Sequence, residues 1–495
     1  MTLELIDFVE QTDGVEFEDF SPEAQERIDG ALADLTQEEG GPSNPPEQTL
    51  IWDWNDLDAV RDDLSGNYVL AQDLDENTAG YPDVVDADGS GFTPIAASGD
   101  LFRGNFDGNG NTIKDLKVDT TSSAGLFGRI NSQAVVRDFT IDDATIIQQD
   151  PEGLGSNQGT GTVTGYIQNS IIRNVNVTNS TVELQGNIDT QNQGVGSVAG
   201  YGLNAGFKHI DVSGTTITVN GSDGKASNAG GVVGLLTDYR NPDILPTKTK
   251  IVDSDINADV NGVAALGGLV GKAFSNGESI SIKRTSANST VNLNEDAENA
   301  GKQFGGLIGL VGGSNPLEIE QTKFTGTVAG SFAVGGFVGK TDTGSGLSIT
   351  NSFSNAQYEL KLDTAGPGGG LIGIINESVE IENTYAAGID GATIASAQHD
   401  FGGIAGDVGR GTETVVGDIT IEDQSVYFDT DTGVPDTFDE GGAEDIPGVN
   451  TPGSNEMKGS SAEETMGGFD FEQTWKTRTG PDNFPDLQTF DESAQ

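Results

Sequence analysis

A short phrase of the form small-Gly-hydrophobic-(hydrophobic or small)-Gly recurs nine times along the chain, with Thr or Ser at its second position in two copies. Successive closing glycines are 37, 35, 34, 37, 38, 30, 34 and 33 residues apart, at Gly128, Gly165, Gly200, Gly234, Gly271, Gly309, Gly339, Gly373 and Gly406. A period of about 35 residues is typical of solenoids, propellers and other repeat arrays. We therefore expect a stack of similar units.

Between two phrases, apolar and polar residues alternate, as in Ile280 with Ile282 and Val291 with Leu293. This alternation, bounded by Ser, Asn and Gly, predicts short half-buried strands. Such strands bury their apolar faces only by stacking, so we expect an all-β fold, a right-handed parallel β-helix of about nine repeats. Leu269 and Leu307 should then point inward, and Asn292 outward.

The glycines are expected either to adopt positive φ at tight corners or to let neighbouring strands approach closely. A β-propeller is the structural alternative, although the usual aromatic blade signature is missing. Glycine-rich disorder is a second alternative, which the regular spacing of aliphatic residues disfavours.

The phrases at 267–271, 305–309 and 335–339, each followed by a turn and an apolar strand, resemble the GLUG repeat of bacterial and archaeal surface adhesins of right-handed β-helix type. Segments 51–75, 91–95 and 102–116 resemble the region that precedes such repeats, and 468–487 resembles the region that closes them. The resemblance spans about 51–488 and implies a capped β-solenoid. It says little about function, because such arrays serve as scaffolds in unrelated settings.

The chain carries 78 acidic and 24 basic side chains, a formal net charge of -54 spread over its whole length. So large a charge repels itself in dilute buffer, whereas at molar salt the Debye length falls to about 3 Å. We therefore expect a halophilic source, a haloarchaeon or its virus. The charge also disfavours nucleic acid and anionic membranes as partners. Without cysteine, no disulfide or thiolate metal site can form.

Seven acids and no base lie within residues 1–20, the reverse of a secretory signal. Ser21 and Pro22 predict a helix over 22–37, followed by a Gly/Pro-rich linker at 39–48. We expect 1–48 to be a tether that anchors the chain, or alternatively a lid on the first repeat. We then expect a cap with first strands at 49–123, including a helix near 55–64, and repeats at 124–430, ending in a strand at 425–430. An acidic loop and C-terminal cap should fill 431–495, where Phe469, Phe471, Trp475 and Phe484 pack together.

Calcium is the one cofactor that the sequence suggests. Asp86, Asp88 and Ser90 match the first half of an oxygen-ligand loop, but Ala97 stands where a bidentate Glu is required. A second candidate set is Asp429, Asp431 and Glu440, with Val434 where a turn Gly is expected. His209 and His399 lie near no recognisable nucleophile or ligand spacing, so each is expected to be an ordinary turn or surface histidine.

Three functions remain open. The first is a structural virion protein of a haloarchaeal virus, an appendage (tail fibre, spike or capsid turret) for host recognition. Its expected partners are other virion proteins, through the N-terminal segment, a host surface glycoprotein or glycan, and further copies of itself. The second is a cell-surface adhesin of a haloarchaeon. The third is a glycan-cleaving β-helix enzyme with paired carboxylates. We expect no catalytic activity, since acid pairs arise everywhere in so acidic a chain.

Overall fold

The computed structural model describes residues 48–85, 89, 91–97, 99–149, 158–185, 193–220, 228–239, 249–277, 279–294, 303–342, 344, 346–360, 366–376, 378–388, 401–408, 419–421, 425–429, 449–478 and 483–490. The predicted tether, with its helix at 22–37, lies outside these residues.

The described chain is a parallel β-solenoid, as predicted. Each turn of the chain is called a coil here, and every coil begins in the same sheet. Within the described residues this sheet has 24 strands, and neighbouring coils pair in parallel. Its strands are Gln48–Ile51, Asn67–Leu70, Asn105–Asp107, Thr112–Lys114, Lys117–Thr120, Val135–Asp142, Thr145–Gln148, Ile171–Thr178, Thr181–Leu184, Gly206–Val219, Thr249–Gly262, Ile280–Ala287, Thr290–Leu293, Leu317–Glu320, Lys323–Phe324, Thr327–Gly330, Leu347–Thr350, Phe353–Asn355, Gln357–Leu360, Val379–Glu382, Thr384–Ala387, Ile419–Ile421, Val426–Phe428 and Val449–Asn450.

One continuous ladder in this sheet joins twelve strands in register, from Gln48 in the first coil to Thr420 in the last. At about 4.8 Å per strand, twelve strands span about 53 Å. Inward side chains such as Ile172, Phe207 and Ile282 are fully buried along it. The core is therefore a stack of like residues.

Two further sheets complete each coil. Nine strands of the described chain form one of them: Phe127–Ile130, Thr164–Gln168, Ala199–Leu203, Val233–Asp238, Val270–Ser275, Ile308–Gly313, Val338–Thr341, Ile372–Ile375 and Ala405–Val408. Eight form the other: Gln158–Thr160, Gln193–Gly196, Asn228–Gly230, Ala265–Gly267, Gln303–Gly305, Val334–Gly335, Gly368–Gly369 and Phe401–Gly402. Each copy of the repeated phrase leads into one strand of the nine-stranded sheet.

The repeated phrase is the corner between these two sheets, and its glycines are there for space. A Cβ on Gly271 would lie 2.5 Å from the Ala229 nitrogen and 2.6 Å from the Gly234 oxygen, both backbone atoms. A Cβ on Gly309 would lie equally close to the Leu266 backbone nitrogen, at 2.5 Å. The two sheets thus meet backbone to backbone. Leu269 and Leu307, in the middle of the phrase, are fully buried as predicted.

Glycines at strand ends, such as Gly313 and Gly388, adopt positive φ as predicted, but at the main corner positive φ belongs to other residues. In the 24-stranded sheet, eight non-glycine residues in adjacent register have φ between 46° and 62°: Asp138, Asn174, His209, Asp253, Arg284, Gln321, Asn351 and Asn383. Asn and Asp tolerate this region best among non-glycine residues, because their short polar side chains hydrogen-bond locally. These eight coils therefore bend at a polar residue.

The first coil is flanked by a short helix, Trp54–Asp58, that continues as a 3-10 turn, Ala59–Asp62. The Asp53 carboxylate accepts hydrogen bonds from the Asn55 and Asp56 amides and caps its N-terminus. Leu57 and Val60 are fully buried, as the predicted helix near 55–64 requires. Within the described residues, the other helical turns are Tyr81–Val84, Ser461–Thr465 and Gln488–Phe490.

The solenoid continues beyond the strand expected to be last. Val426–Phe428 pairs in parallel with a further short strand, Val449–Asn450. Trp475–Lys476 and Asp486–Leu487 then form a small antiparallel pair. The ordered stack therefore extends into the region predicted to be an acidic loop.

Candidate interaction face

One outward surface of the 24-stranded sheet, called here the charged face, carries two rows of side chains that are segregated by charge. Its basic block consists of Arg137, Arg173, Lys208, Lys250 and Lys283. Arg137, Arg173 and Lys208 are direct register neighbours on three successive coils. Because like charges placed directly opposite each other across strands repel, this arrangement costs stability in the isolated chain.

The acidic block follows on the next coils of the same two rows and consists of Glu318, Glu320, Glu380 and Glu382. Lys283 and Glu320 join the two blocks, with 2.9 Å between Nζ and Oε2. The Arg137 guanidinium bonds Asp107 at 2.5 Å and also contacts Asp138. By contrast, Arg173 and Lys208 make no ion pair within the described chain, and the Nε of Arg173 is buried there without a hydrogen-bond partner.

A hydrogen-bonded ladder borders the charged face at the polar corner. Asn174 Nδ2 donates to Asp138 Oδ1 at 2.6 Å, and Asn174 Oδ1 lies 2.9 Å from His209 Nδ1. His209 Nε2 is 3.6 Å from Asp253 Oδ2, and Arg284 Nε donates to Asp253 Oδ1 at 2.6 Å. Burial lowers the pKa of His209, although the Asp253 carboxylate opposes this shift. His209, predicted to be a turn or surface histidine, is thus an exposed corner residue of the ladder.

The described C-terminal residues 457–478 and 483–490, which we call the clasp, pack against the side of the solenoid. Phe353, Tyr385 and Tyr427 occupy one outward row, in register with Lys323. The clasp covers them through Trp475, whose ring centroid lies 5.8 Å from that of Tyr385. The four aromatic residues expected in a closing cap do cluster, but on this lateral row: Phe469, Phe471, Trp475 and Phe484.

The clasp is tied down by polar contacts as well. Tyr385 Oη donates to the Pro485 carbonyl at 2.6 Å, and Lys323 Nζ lies 3.4 Å from Asp486 Oδ1. Arg478 contacts the other oxygen of the same buried carboxylate. The Lys323 ammonium also stands over the Phe490 ring, 4.4 Å from its centroid. Burial raises the pKa of Tyr385, so its hydroxyl remains a donor.

Where the clasp ends, a groove of about 590 Å³ opens between Phe490 and the polar corner. Asp211 and Asp255, in register on adjacent strands, line it together with Arg284 and Lys323. Burial, and then the neighbouring Asp255 charge, raise the pKa of Asp211. Because Arg284 pairs with Asp253 and Lys323 pairs with Asp486, the groove presents mainly carboxylate oxygens.

The predicted calcium ligands Asp86, Asp88 and Ser90 lie outside the described residues, as do Asp431, Glu440 and His399. Asp429 is described, and its carboxylate accepts a hydrogen bond from the Ser454 hydroxyl. Within the described ranges no group of three or more His, Cys, Asp or Glu side chains is arranged to hold a metal ion. The calcium prediction is therefore untested.

Sequence reasoning missed the charged face, although the sequence holds a signal for it. Arg137, Arg173 and Lys208 are separated by 36 and 35 residues, which matches the repeat period. Cations that recur at the period of a solenoid must fall in one row. The composition of the whole chain, with 24 basic and 78 acidic side chains, does not reveal this row, because it contains no information about repeat position.

The fold and this face define a parallel β-solenoid with a charge-segregated lateral surface. No protein-family model matches the chain. Over 157 residues it is 32% identical to halomucin from Haloquadratum walsbyi, an alignment that covers 28% of this chain and 2% of halomucin. The chain thus matches a small part of a much longer relative.

Among solved structures, the chain is similar to a candidate immunoglobulin A1 protease from Bacteroides ovatus, with 18% identity and a TM-score of 0.34. That similarity covers 92% of this chain and 96% of the other. In the described part of the chain, no helix is both long and apolar enough to cross a membrane.

Proposed function

We propose that this chain is an extracellular surface protein of a halophile, with an adhesin-like role in which the solenoid acts as a rigid spacer. The observation that carries the proposal is the uninterrupted twelve-strand ladder, which makes a stiff body out of short repeats. A formal net charge of -54 suits a protein that works in concentrated brine.

The partial identity to halomucin, from a halophile, supports both the brine setting and the extracellular location. We also propose that the nine repeats are of the GLUG type, because each phrase forms the same glycine corner. We propose a binding role rather than catalysis. The groove supports this, since its cations are held in ion pairs and are not free to polarise a substrate.

The location is tested by immunogold labelling of intact cells of the source organism in molar NaCl, with antibodies against the full chain. We expect label on the outside of intact cells, whereas a cytoplasmic control protein is labelled only after permeabilisation. Label that appears only after permeabilisation would refute the proposal.

A narrower version of the proposal places the same rod on a virion, as an appendage that contacts other virion proteins and a host glycan or glycoprotein. Mass spectrometry of purified virus particles from the same culture separates the two versions. The chain's presence in particles favours the virion, and its absence from particles combined with surface label favours the cellular adhesin.

A further inference from the structure

The charge pattern of the charged face is far from what the composition predicts. With 78 acids and 24 bases in the chain, an outward row should carry about three acids for every base. Yet on the five coils from Arg137 to Lys283, the two described rows hold five bases and no acid. On the next three coils they hold four acids and no base.

We propose that the charged face is a self-complementary interface at which two copies of this chain pack antiparallel, with the basic block of each copy against the acidic block of the other. A two-fold axis that runs parallel to the strands, between the coils of Lys283 and Glu320, produces this contact. It is an isologous interface, in which the same patch is used twice.

The symmetry fixes which residues meet. Reversing the coil order about this axis places Lys283 of one copy opposite Glu320 of the second copy, and Lys208 opposite Glu382 of the second copy. A parallel pair would instead set the two basic blocks against each other. Only the antiparallel pair therefore gives Lys208 an acidic counterpart.

Three charges of this face, those of Arg173, Lys208 and Glu382, are poorly compensated within the described chain. Lys208 and Arg173 make no ion pair in the described chain, and Glu382 accepts only from the neighbouring Asn383, at 3.3 Å. Lys208 and Glu382 lie five register steps apart, about 24 Å at about 4.8 Å per strand, so they cannot pair within one chain.

Concentrated salt is compatible with this interface. At 1 M salt the Debye length of about 3 Å removes the long-range repulsion between two strongly acidic chains, while ion pairs in direct contact still attract. A polyanion is the rival occupant of the basic block. The adjoining acidic block and the net charge of -54 would repel it, which favours a second copy.

Sedimentation velocity of the full chain in molar NaCl tests the proposal. We expect a dimer for the wild type, and at least tenfold weaker dimerisation for Lys208→Glu and for Glu382→Lys. The double variant carrying both changes should dimerise again, because the exchanged charges still meet across the two-fold axis. Lys340→Glu, a matched reversal on the nine-stranded sheet, should leave the dimer unchanged.

Two results would overturn the proposal. One is a wild type that stays monomeric, whether or not it captures a dextran sulfate probe through Lys208. The other is a double variant as weakly dimeric as the single ones. Unchanged thermal unfolding midpoints of the variants would show that both results concern association rather than folding.

Discussion

Replacing Gly271 by Ala tests the claim that the repeated phrase is a corner without room for side chains. The added Cβ would lie 2.5 Å from the Ala229 nitrogen and 2.6 Å from the Gly234 oxygen. Both are backbone atoms held in sheet ladders, so neither can rotate away. Relief requires the two sheets to separate locally, and overpacking of this kind costs about 1–3 kcal/mol.

The matched control is Gly346→Ala, also within the solenoid. There the nearest atom to the new Cβ is a Pro316 side-chain carbon at 3.5 Å, an ordinary contact distance. Since Ala restricts the unfolded chain, this variant should be neutral or more stable by up to about 1 kcal/mol.

Denaturant unfolding in molar NaCl, followed by circular dichroism, measures both variants. We expect a clearly lower midpoint for Gly271→Ala and an unchanged or higher one for Gly346→Ala. Because repeat arrays can unfold in parts, midpoints of the first transition are the quantity to compare. Equal midpoints for the two variants would show that the glycines are not required for close approach.

Three further outcomes are expected. Leu307→Asp should abolish the cooperative thermal transition, because it buries an unpaired carboxylate. Asn292→Asp, at an outward half-buried position, should change the thermal midpoint little, and similar effects of the two variants would contradict the assigned repeat phase. Lowering NaCl from molar to millimolar should lower the thermal midpoint steeply, because the charge of -54 loses its screening, and a constant midpoint would argue against halophilic adaptation. Asp211→Asn should raise stability at neutral pH. The folded-state pKa of Asp211 is raised, so the ionised carboxylate is disfavoured in the fold. The gain in stability should therefore shrink as the pH falls through the folded-state pKa and vanish below the unfolded-state pKa. Melting curves of the wild type and the variant at several pH values measure this.

The repeat period and the alternation of apolar residues were sufficient to predict the stack. Ile280, Ile282 and Val291 are fully buried, and Asn292 faces outward between two buried neighbours. These positions are predictable because each depends on residues one or two places away, and strand periodicity is a local property.

Sequence reasoning missed the residues of the main corner. Glycine supplies positive φ at strand ends, as expected, but the bend in eight coils of the main sheet is made by residues such as Asn174, His209 and Arg284. Arg284 is an unfavourable choice for this backbone conformation, and its contacts with Asp253 at 2.6 Å and 3.3 Å help to hold it there. Such compensation comes from the coil beneath, 31 residues away in sequence, so no local pattern reveals it.

The clasp was misplaced for a related reason. Its aromatic residues were correctly grouped, but a cap at the end of the rod was expected, because open strand edges invite aggregation. What decides its position is the row formed by Phe353, Tyr385 and Tyr427, which changes from polar to aromatic where the clasp lies. That row can be recognised only once the register of each coil is known. From Asn67 onward, coil lengths along the twelve-strand ladder vary from about 30 to 44 residues, since Gly206 is in register with Lys250 and Leu317 with Leu347. A fixed period therefore loses the row within a few repeats.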